Sequence, residues 1–221
     1  NLENARHLMH STAQRQKAGE LIKNYRYIDY NLFGTTTGRL TTRPDSFPML
    51  TLKKELRTIV KPTNDLFVSL DYNGAELRTF IELSGLEQPQ KDIHQWNVEN
   101  IFSDRDVTRD EAKTLLFAWL YNPDSQEVNA EIYDRNKVLD KWYTTGYIKT
   151  PYGRTIEVEQ RKALNYLIQS TTADLVNDRA VAIDAFLEGK QSFVSHIVHD
   201  EIVIDMPDNE RYLIPEIKDI F

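Results

Sequence analysis

A mostly apolar run that ends in a carboxylate constrains this chain more than any other stretch of its sequence. The run, Leu66–Leu70, is short and rich in apolar residues, which predicts a buried strand. Asp71 closes the run, Asn73 and Gly74 predict a turn, and the amphipathic segment Glu76–Leu83 predicts a helix. A junction of this kind places Asp71 at a rim where oxygen atoms can meet a hard cation. On its own, Asp71 is explained more simply as a turn or helix-start residue, so a second acidic site is needed.

A second pair of acids, Asp200 and Glu201, lies near the end of the chain. The β-rich runs Phe193–Val198 and Ile202–Asp205 flank them, which predicts a hairpin whose tip carries His199, Asp200 and Glu201. Acids at a hairpin tip are common as solvated turn residues. Neither acidic site indicates a metal site on its own, so the two have to be considered together.

The length and composition of the chain limit the classes of function that it can have. The chain has 221 residues, of which 40% are hydrophobic, and this is enough for one large domain or two small ones. It has no apolar run of about 18 residues and no signal-peptide pattern, so we expect an intracellular protein without a membrane partner. The absence of cysteine excludes disulfides and cysteine-ligated zinc. A net charge of −7 disfavours a simple DNA-coating protein, but an acidic enzyme can still line one cleft with cations.

A capping box predicts that a helix begins at Thr108, because a glutamate follows three residues later. Four side chains then recur at four-residue steps, which places them on one slanting stripe of that helix. An amphipathic helix with solvated charges and buried rings explains such a stripe. A nucleotide site explains it more specifically, because cations hold a triphosphate while aromatic rings pack on sugar and base. The stripe consists of Arg109, Lys113, Phe117 and Tyr121.

A set of motifs in the expected order makes the chain resemble the family A DNA polymerases, the DNA polymerase I type. DYNGAELR resembles motif A of that family, VHDE at Val198–Glu201 resembles motif C, and the stripe resembles motif B. In motif B, the last tyrosine is normally followed by glycine. Here Tyr121 is followed by Asn122 and Pro123. The other matches are TGRLTT with Arg39, DIH with His94, and a helix that carries Arg161, Asn165 and Gln169.

The resemblance implies an α+β fold, with an antiparallel palm sheet, mostly helical fingers inserted between motifs A and C, and a thumb that is largely absent. The chain is then a portion of a larger polymerase. We expect a remnant of the thumb or palm-entry helix in residues 1–27, palm with motif A in 28–85, fingers with motif B in 86–150, and palm with the template-groove helix, motif C and a truncated C-terminus in 151–221.

Further elements follow from local patterns. Leu2–Tyr25 predicts a helix in two parts, and Ile28–Leu32 and Leu56–Val60 predict short strands. Asp124–Lys141 is charged and helix-prone. The helix of Arg161 is expected to continue to about Phe186, and Tyr152–Thr155 to form a turn that resembles the family's GRR hairpin.

Residue roles are carried over from the family motif by motif. The resemblance implies that Asp71 and Asp200 hold two Mg2+ ions, for which Mn2+ can substitute, with Glu201 as an outer or occasional ligand. Lys113 is expected to protonate the leaving pyrophosphate as a general acid. The implied nucleotide-binding residues are Arg109, Lys113, Phe117, Tyr121, Glu76 and His94. The implied DNA-binding residues are Arg39, Arg161, Asn165, Gln169 and His199.

The resemblance also indicates which nucleic acid is made, on the basis of Glu76 and Glu201. In the family, the glutamate at the position of Glu76 excludes a 2′ hydroxyl, and phenylalanine at the position of Phe117 implies stronger selection against dideoxynucleotides. The single-subunit RNA polymerases share the spacing of the stripe. They lack this glutamate, however, and carry serine where Glu201 follows His-Asp here. The resemblance therefore favours DNA.

The predicted function is that of a DNA-directed DNA polymerase, with primer–template DNA, dNTPs and replisome proteins as partners. A cytoplasmic location, in a bacterium or a phage-infected cell, is favoured over an organelle. One alternative is a catalytically degenerate module that binds nucleic acid or replication proteins; Asn122, the shortened fingers and the acidic balance favour it. Another is an unrelated metal-dependent nuclease that uses Asp71 and Asp200, which leaves Arg39, Arg161 and Gln169 unexplained.

Overall fold

The computed structural model describes residues 9, 11–24, 27–128 and 132–221. The helices are α1 Thr12–Asn24, α2 Lys54–Arg57, α3 Ala75–Ser84, α4 Ile93–Asn100, α5 Arg109–Tyr121, α6 Arg135–Trp142, α7 Gln160–Phe186 and α8 Ile214–Ile220. The strands are β1 Tyr30–Asn31, β2 Thr41–Thr42, β3 Leu66–Asp71, β4 Tyr143–Thr144, β5 Tyr147–Lys149, β6 Thr155–Glu157, β7 Phe193–Val198 and β8 Glu201–Met206. A 3-10 helix spans Asp208–Leu213.

The chain forms two compact units. The first unit comprises Asn1–Asp71 and Leu175–Phe221, and the second comprises Tyr72–Asp174. The main sheet of the first unit is antiparallel, in the order β3-β8-β7. The central strand β8 is buried from Ile202 to Met206, as expected for a strand with a neighbour on each side. The sheet therefore gives the two acid-bearing strands, β3 and β8, a fixed register.

The hydrophobic core of the first unit forms where α1 packs with the loop that leads to β3. One prediction in this loop is wrong: the segment Leu56–Val60 is not a strand, because α2 covers Lys54–Arg57. Leu56 and Ile59 are buried three residues apart, which is helical spacing rather than strand alternation. The buried core residues are Met9, Ala18, Leu21, Phe47, Met49, Leu52, Leu56, Ile59 and Val198.

The core of the second unit is built around three aromatic rings. Phe80 meets Trp119 and Tyr133 edge to face, at ring-centroid distances of 5.5 and 5.6 Å, and Trp119 stacks on Tyr133 at 5.9 Å. The buried Tyr133 hydroxyl donates a hydrogen bond to Asn97 Oδ1 at 2.8 Å, so its polar end is satisfied. These contacts bring α3, α4 and α5 together.

Helix and turn predictions hold in most places. The capping box at Thr108 is confirmed, because its hydroxyl accepts from the Glu111 amide while the Glu111 side chain accepts from the Thr108 amide. The long helix through Arg161 ends at Phe186, and the turn at Tyr152–Thr155 is present. Of the helix-prone stretch Asp124–Lys141, the described residues form helix only from Arg135.

The α+β fold class with an antiparallel sheet is confirmed. At the amino end, α1 confirms the second part of the predicted Leu2–Tyr25 helix, whereas residues 1–8, 10 and 25–26 lie outside the described residues. The strand predicted at Ile28–Leu32 is shorter and covers only Tyr30–Asn31. In the described part of the chain, no helix combines the length and apolar character needed to cross a membrane.

Candidate active site

A two-residue turn joins β7 to β8 and carries Asp200. Val198 and Glu201 pair across the hairpin, so only His199 and Asp200 form the turn. The φ of His199 is 59°, in the left-handed region that glycine prefers. A positive φ at the first turn residue suits a hairpin turn that follows the right-handed strand twist. The hairpin prediction is confirmed, but the placement of Glu201 at the tip is wrong, because Glu201 is already paired in β8.

Asp71 ends β3 and lies directly opposite Glu201 in the antiparallel register. Side chains of directly opposed residues lie on the same face of a sheet, with Cβ atoms roughly 4.5–5.5 Å apart. Asp200 precedes Glu201, so three acidic residues lie at one end of the sheet. Ser69 Oγ donates a hydrogen bond to Glu201 Oε1, which directs this carboxylate along the sheet face. Opposed like charges destabilise a sheet, so a cation bound here would offset their repulsion.

The ligand chemistry at this end of the sheet fits a hard divalent cation. Asp71 is exposed and Asp200 is half-buried, so both are accessible from solvent. Mg2+ prefers oxygen ligands and is commonly held by one or two carboxylates together with water and substrate phosphates. Among the described residues, no group of three or more His, Asp or Glu side chains is arranged to hold a metal ion. A site here would rely on Asp71 and Asp200, with water and substrate completing the coordination.

A buried carboxylate fixes the start of β3. Asp205 is only 2% exposed and accepts hydrogen bonds from the amides of Thr63, at 2.5 Å, and Asn64, at 2.8 Å. Because Asp205 belongs to β8, it ties the chain entering β3 to the strand that begins at Glu201. The sequence interpretation missed this role, although an acid flanked by apolar residues within a strand is a signal for a buried, paired carboxylate.

Arg39 lies on the loop between β1 and β2, in the first unit. The side chain is exposed, and the Arg39 carbonyl accepts a hydrogen bond from Thr35 Oγ1 at 2.9 Å. A Cβ added to Gly34 would lie 1.9 Å from Thr41 Oγ1, so only glycine allows the loop to approach β2 this closely. The loop is therefore internally braced while Arg39 remains accessible.

In the second unit, the stripe on α5 lies off the core face of the helix. Ala112, Leu116, Trp119 and Leu120 are the buried residues of α5. The stripe residues are exposed at its cationic end and half-buried at its aromatic end, and the rings of its two aromatic residues have centroids 6.1 Å apart. Tyr121 packs partly buried against the core, whereas Phe117 and the two cations are not part of it. This favours a binding role for most of the stripe over a packing role. Those four stripe residues are Arg109, Lys113, Phe117 and Tyr121.

Tyr121 and Glu76 are joined by a hydrogen bond from the tyrosine hydroxyl to Glu76 Oε2. Glu76 lies in the first turn of α3, and Tyr121 is the last residue of α5. The bond fixes the glutamate carboxylate beside the aromatic end of the stripe. The structure therefore brings together two of the residues that the motif resemblance assigns to nucleotide binding.

Asp92 holds the cationic end of the stripe. It caps α4 by accepting from the Gln95 amide at 2.8 Å, and it accepts from Asn73 Nδ2 at 2.7 Å. Arg109 donates two further hydrogen bonds to the same carboxylate. Hydrogen bonding to Arg109 is the largest cause that holds the pKa of Asp92 far below its usual range. The sequence interpretation included Asp92 in the DIH match but assigned no role to its side chain.

His94 is 3% exposed, beside Gly74 and the Phe117 ring. Burial, followed by the charges of Lys113 and Arg109, lowers the pKa of His94, so the imidazole is neutral near pH 7. Its Nδ1 has no hydrogen-bond partner among the described residues. A buried polar atom without a partner is uncommon and marks a place where a ligand or water can bind.

Arg161, Asn165 and Gln169 lie at four-residue steps on α7, away from the buried residues of that helix. Arg161 pairs with Asp124 at 2.7 Å, with both side chains exposed. Arg161 and Asn165 also line a cavity of about 230 Å3, to which Tyr121 and Arg135 contribute. The structure thus brings two of these three residues to one cavity of the second unit.

The end of α5 is closed by an arginine that the sequence interpretation did not single out. Arg135 Nη1 donates to the carbonyls of Trp119 and Asn122, each at 2.7 Å. Its Nη2 donates to the carbonyls of Pro123, at 3.2 Å, and Ser125, at 2.9 Å. The guanidinium carbon also lies 4.7 Å from the centroid of the Trp119 ring. Arg135 therefore satisfies carbonyls that the end of a helix leaves without partners.

Relatives of this chain are DNA polymerases. The thermostable DNA polymerase I of Thermus aquaticus is 26% identical over 80% of this chain and 28% of its own length. DNA polymerase I of Aquifex aeolicus is 24% identical over 91% of this chain and 42% of its own length. The chain thus spans less than half the length of either relative. No protein-family model matches it.

A solved structure has the same fold. The POL domain of Pol1 from M. smegmatis, in complex with DNA primer–template and dNTP, matches with a TM-score of 0.67 at 18% identity. The match covers 94% of this chain and 47% of that one. Together with the sequence matches, it confirms the resemblance to the family A DNA polymerases, and this chain corresponds to a portion of such a polymerase.

Proposed function

We propose that this chain catalyses template-directed DNA synthesis, in which dNTPs are joined to the 3′ end of a primer by two-metal-ion nucleotidyl transfer. The observation that carries the proposal is the register of the main sheet. It sets Asp71 opposite Glu201 and next to the turn of Asp200, in a chain whose relatives are DNA polymerases. In the reaction, the primer 3′ oxygen bonds to the α-phosphorus and the bond from that phosphorus to pyrophosphate breaks.

Asp71 and Asp200 are the proposed ligands of two Mg2+ ions, with Mn2+ as a substitute. When bound, such ions activate the primer hydroxyl and neutralise charge on the triphosphate. Ser69 holds the Glu201 carboxylate along the sheet, which supports an outer or occasional role for Glu201. The three acids therefore divide into two direct ligands and one supporting residue.

The stripe on α5 is the proposed triphosphate site. Arg109 and Lys113 are exposed cations on one face, suited to phosphate oxygens. Lys113 would give a proton to the leaving pyrophosphate, while the proton of the primer hydroxyl leaves to solvent. His94 is neutral and would donate one hydrogen bond to a phosphate oxygen. The unpartnered Nδ1 of His94 supports a ligand-facing role for this ring.

Sugar selection is assigned to the aromatic end of the stripe. The hydrogen bond from Tyr121 fixes the Glu76 carboxylate, so Glu76 would occupy the space that a 2′ hydroxyl needs. Phe117 lies between His94 and Tyr121, with ring centroids 6.2 and 6.1 Å from theirs, and would pack on the sugar. These contacts support a preference for deoxynucleotides over ribonucleotides, and selection against dideoxynucleotides.

The remaining assignments concern DNA and domain organisation. Exposed Arg39 and His199 are proposed to contact the primer–template in the first unit, and Arg161, Asn165 and Gln169 in the second. Replisome proteins are further proposed partners. The bacterial source of the relatives supports the proposed location inside the cell, in the cytoplasm rather than an organelle. The proposed domains are a thumb or palm-entry remnant at 1–27, palm at 28–85, fingers at 86–150 and palm at 151–221.

Primer extension by two variants, each with one aspartate replaced by asparagine, tests the proposal. With Mg2+ and dNTPs, the wild-type chain should extend a primer as the template directs, and with ribonucleotides it should not. Asp71→Asn and Asp200→Asn should each reduce the rate by roughly 1000-fold or more, because metal charge stabilisation supplies several kcal/mol. Asp208→Asn is the matched control, since the Asp208 side chain is exposed and pairs with the exposed Arg211. Loss of activity in this control, or retention of activity in both site variants, would contradict the assignment.

A degenerate binding module is the second candidate. The helix that carries the stripe ends at Tyr121, Asn122 follows where the family motif has a glycine, and Arg135 closes that end. Binding of a labelled primer–template without extension, in this chain and in any longer natural form that contains it, would favour this candidate.

A further inference from the structure

The Tyr30 hydroxyl bridges both main-chain groups of one residue. It donates a hydrogen bond to the Ile197 carbonyl at 2.5 Å and accepts one from the Ile197 amide at 2.9 Å. Both residues belong to the first unit. A phenol can donate once and accept at the same time, so one side chain satisfies both groups.

Ile197 lies on an edge strand. In the sheet order β3-β8-β7, strand β7 pairs with β8 on one side only, within the described residues. Edge strands present unpaired amides and carbonyls, and here Tyr30 occupies one such pair. The register of β7 shifts between Val194 and His196, so the strand is irregular just before the residue that Tyr30 holds.

The hydroxyl joins two strands, β1 and β7, and each of them leads into a loop with a proposed role. Tyr30 opens β1, which pairs with β2 across the loop that carries Arg39. Ile197 lies three residues before Asp200, within the hairpin of the proposed metal ligands. A single side chain thus connects the loop proposed to contact the primer end with the hairpin proposed to hold the metal ions.

We propose that Tyr30 is a positioning residue, which holds the Asp200 hairpin in line with the Arg39 loop so that the primer 3′ oxygen meets the metal site. This inference rests on the proposed function. Misplacement by about 1 Å can reduce a rate by roughly 100-fold, and sites built on loops depend on supporting contacts for their precision. Tyr30 supplies such a contact to both loops.

Burial keeps this contact intact over the working pH range. It raises the pKa of the Tyr30 hydroxyl to about 12, with the hydrogen bond to Ile197 opposing the shift. The hydroxyl is therefore protonated near neutral pH and always available as a donor to the Ile197 carbonyl.

Tyr30→Phe removes the hydroxyl and keeps the ring, so it isolates the two hydrogen bonds. Tyr27→Phe is the matched control, because it makes the same chemical change three residues earlier on a side chain that is 66% exposed. The first measurement is hydrogen exchange of the Ile197 amide by NMR. Tyr30→Phe should speed this exchange at least about tenfold, and Tyr27→Phe should leave it unchanged.

The second measurement is single-turnover primer extension at 25 °C, where circular dichroism shows each variant to be folded. Tyr30→Phe should lower the maximal rate by roughly 10- to 100-fold and raise the Mg2+ concentration for half-maximal rate, with less than about a threefold change in the apparent Kd for dNTP. A purely structural role would lower the unfolding temperature and leave these kinetic values unchanged.

The outcomes separate this inference from the proposed function. Faster Ile197 exchange with an unchanged maximal rate and Mg2+ dependence would overturn the positioning role and leave DNA synthesis standing. Unchanged Ile197 exchange would overturn it as well, since the contact would then be absent. A wild-type protein that does not extend primers would overturn both.

Discussion

Arg109 donates two hydrogen bonds to Asp92, from Nε to Oδ1 at 3.0 Å and from Nη2 to Oδ2 at 2.7 Å. This parallel arrangement is the one in which a guanidinium also binds phosphate oxygens. A triphosphate that binds Arg109 in the same way must therefore displace the Asp92 carboxylate. The ion pair makes Asp92 a competitor of the nucleotide, in addition to its role as the cap of α4.

Asp92→Asn should strengthen nucleotide binding. The amide oxygen of asparagine can still cap α4, but the negative charge that holds Arg109 is gone. A partly exposed ion pair is worth at most about 1 kcal/mol, so the apparent Kd for dNTP should fall roughly two- to fivefold in single-turnover extension.

Glu99→Gln provides the control for this charge change. Glu99 lies on the same helix, is exposed and pairs with Lys91, so its substitution should leave the apparent Kd unchanged. An increase in the Kd of Asp92→Asn would show that Asp92 positions Arg109 for the nucleotide rather than competing with it.

Two buried histidines should make the folded protein less stable in mild acid. Burial is the largest cause that lowers the pKa of both His94 and His196. The unfolded chain then binds protons more readily, so the free energy of unfolding is greatest above about pH 6.5 and falls as the pH drops below it. His94→Gln should make the difference in unfolding free energy between pH 7.5 and 5.5 smaller than in the wild type, measured by urea titration.

His196→Gln should remove its own share of the same pH dependence. Because His196 lies in the first unit and His94 in the second, the two contributions should add. The lowered pKa of His94 would be contradicted by one result: an unfolding free energy that depends on pH as steeply in His94→Gln as in the wild type.

The capping box should be needed for the start of α5. Thr108→Ala removes the hydroxyl that accepts from the Glu111 amide, and should cost about 1 kcal/mol of unfolding free energy. Fraying there would also displace Arg109, the first residue of α5, so the apparent Kd for dNTP should rise. Thr114→Ala is the control within the same helix, because the Thr114 hydroxyl bonds back to the Asp110 carbonyl and caps no helix end. An equal loss in both variants would argue against a specific cap.

Asp205→Asn should destabilise the first unit. The Asp205 carboxylate accepts from two amides, whereas asparagine would set its NH2 group against one of them. Leaving a buried donor without an acceptor costs about 1–3 kcal/mol, so the urea midpoint should fall clearly. In the exposed control Asp208→Asn, we expect a change below about 0.5 kcal/mol. A similar midpoint in both variants would contradict the anchoring role of Asp205.

Local patterns were sufficient to predict the elements whose ends are marked by side chains. Thr108 with Glu111 located the start of α5, and the run that ends at Asp71 located β3. The same patterns were ambiguous at Leu56–Val60, because a short apolar run fits a strand or a helix equally well. The motif resemblance named Asp71 and Asp200, but only the register placed Glu201 opposite Asp71 rather than at the hairpin tip.

Local sequence patterns could not predict the contacts between residues far apart in the chain, and the reason is physical. Tyr30 with Ile197, and Asp205 with Thr63, are more than 100 residues apart, so neither spacing nor propensity links them. Arg135 is a further case, because its partners are main-chain carbonyls, which every residue type has. The supporting contacts of the candidate site are mostly of this kind, whereas its proposed substrate-binding residues were recognisable from motifs.

Arg135→Lys should loosen the end of α5. Lysine keeps the charge, but its single ammonium group cannot reach the carbonyls of Trp119, Asn122, Pro123 and Ser125 together. We expect a loss of roughly 1–2 kcal/mol of unfolding free energy and faster hydrogen exchange of the amides around Ser125. Arg105→Lys is the matched control, because Arg105 makes an exposed ion pair with Glu127. The closed end restrains a helix whose family counterpart carries glycine at this place, so Arg135→Lys should also change the single-turnover extension rate. Unchanged exchange and an unchanged rate would show that Asn122 and Pro123 alone end the helix.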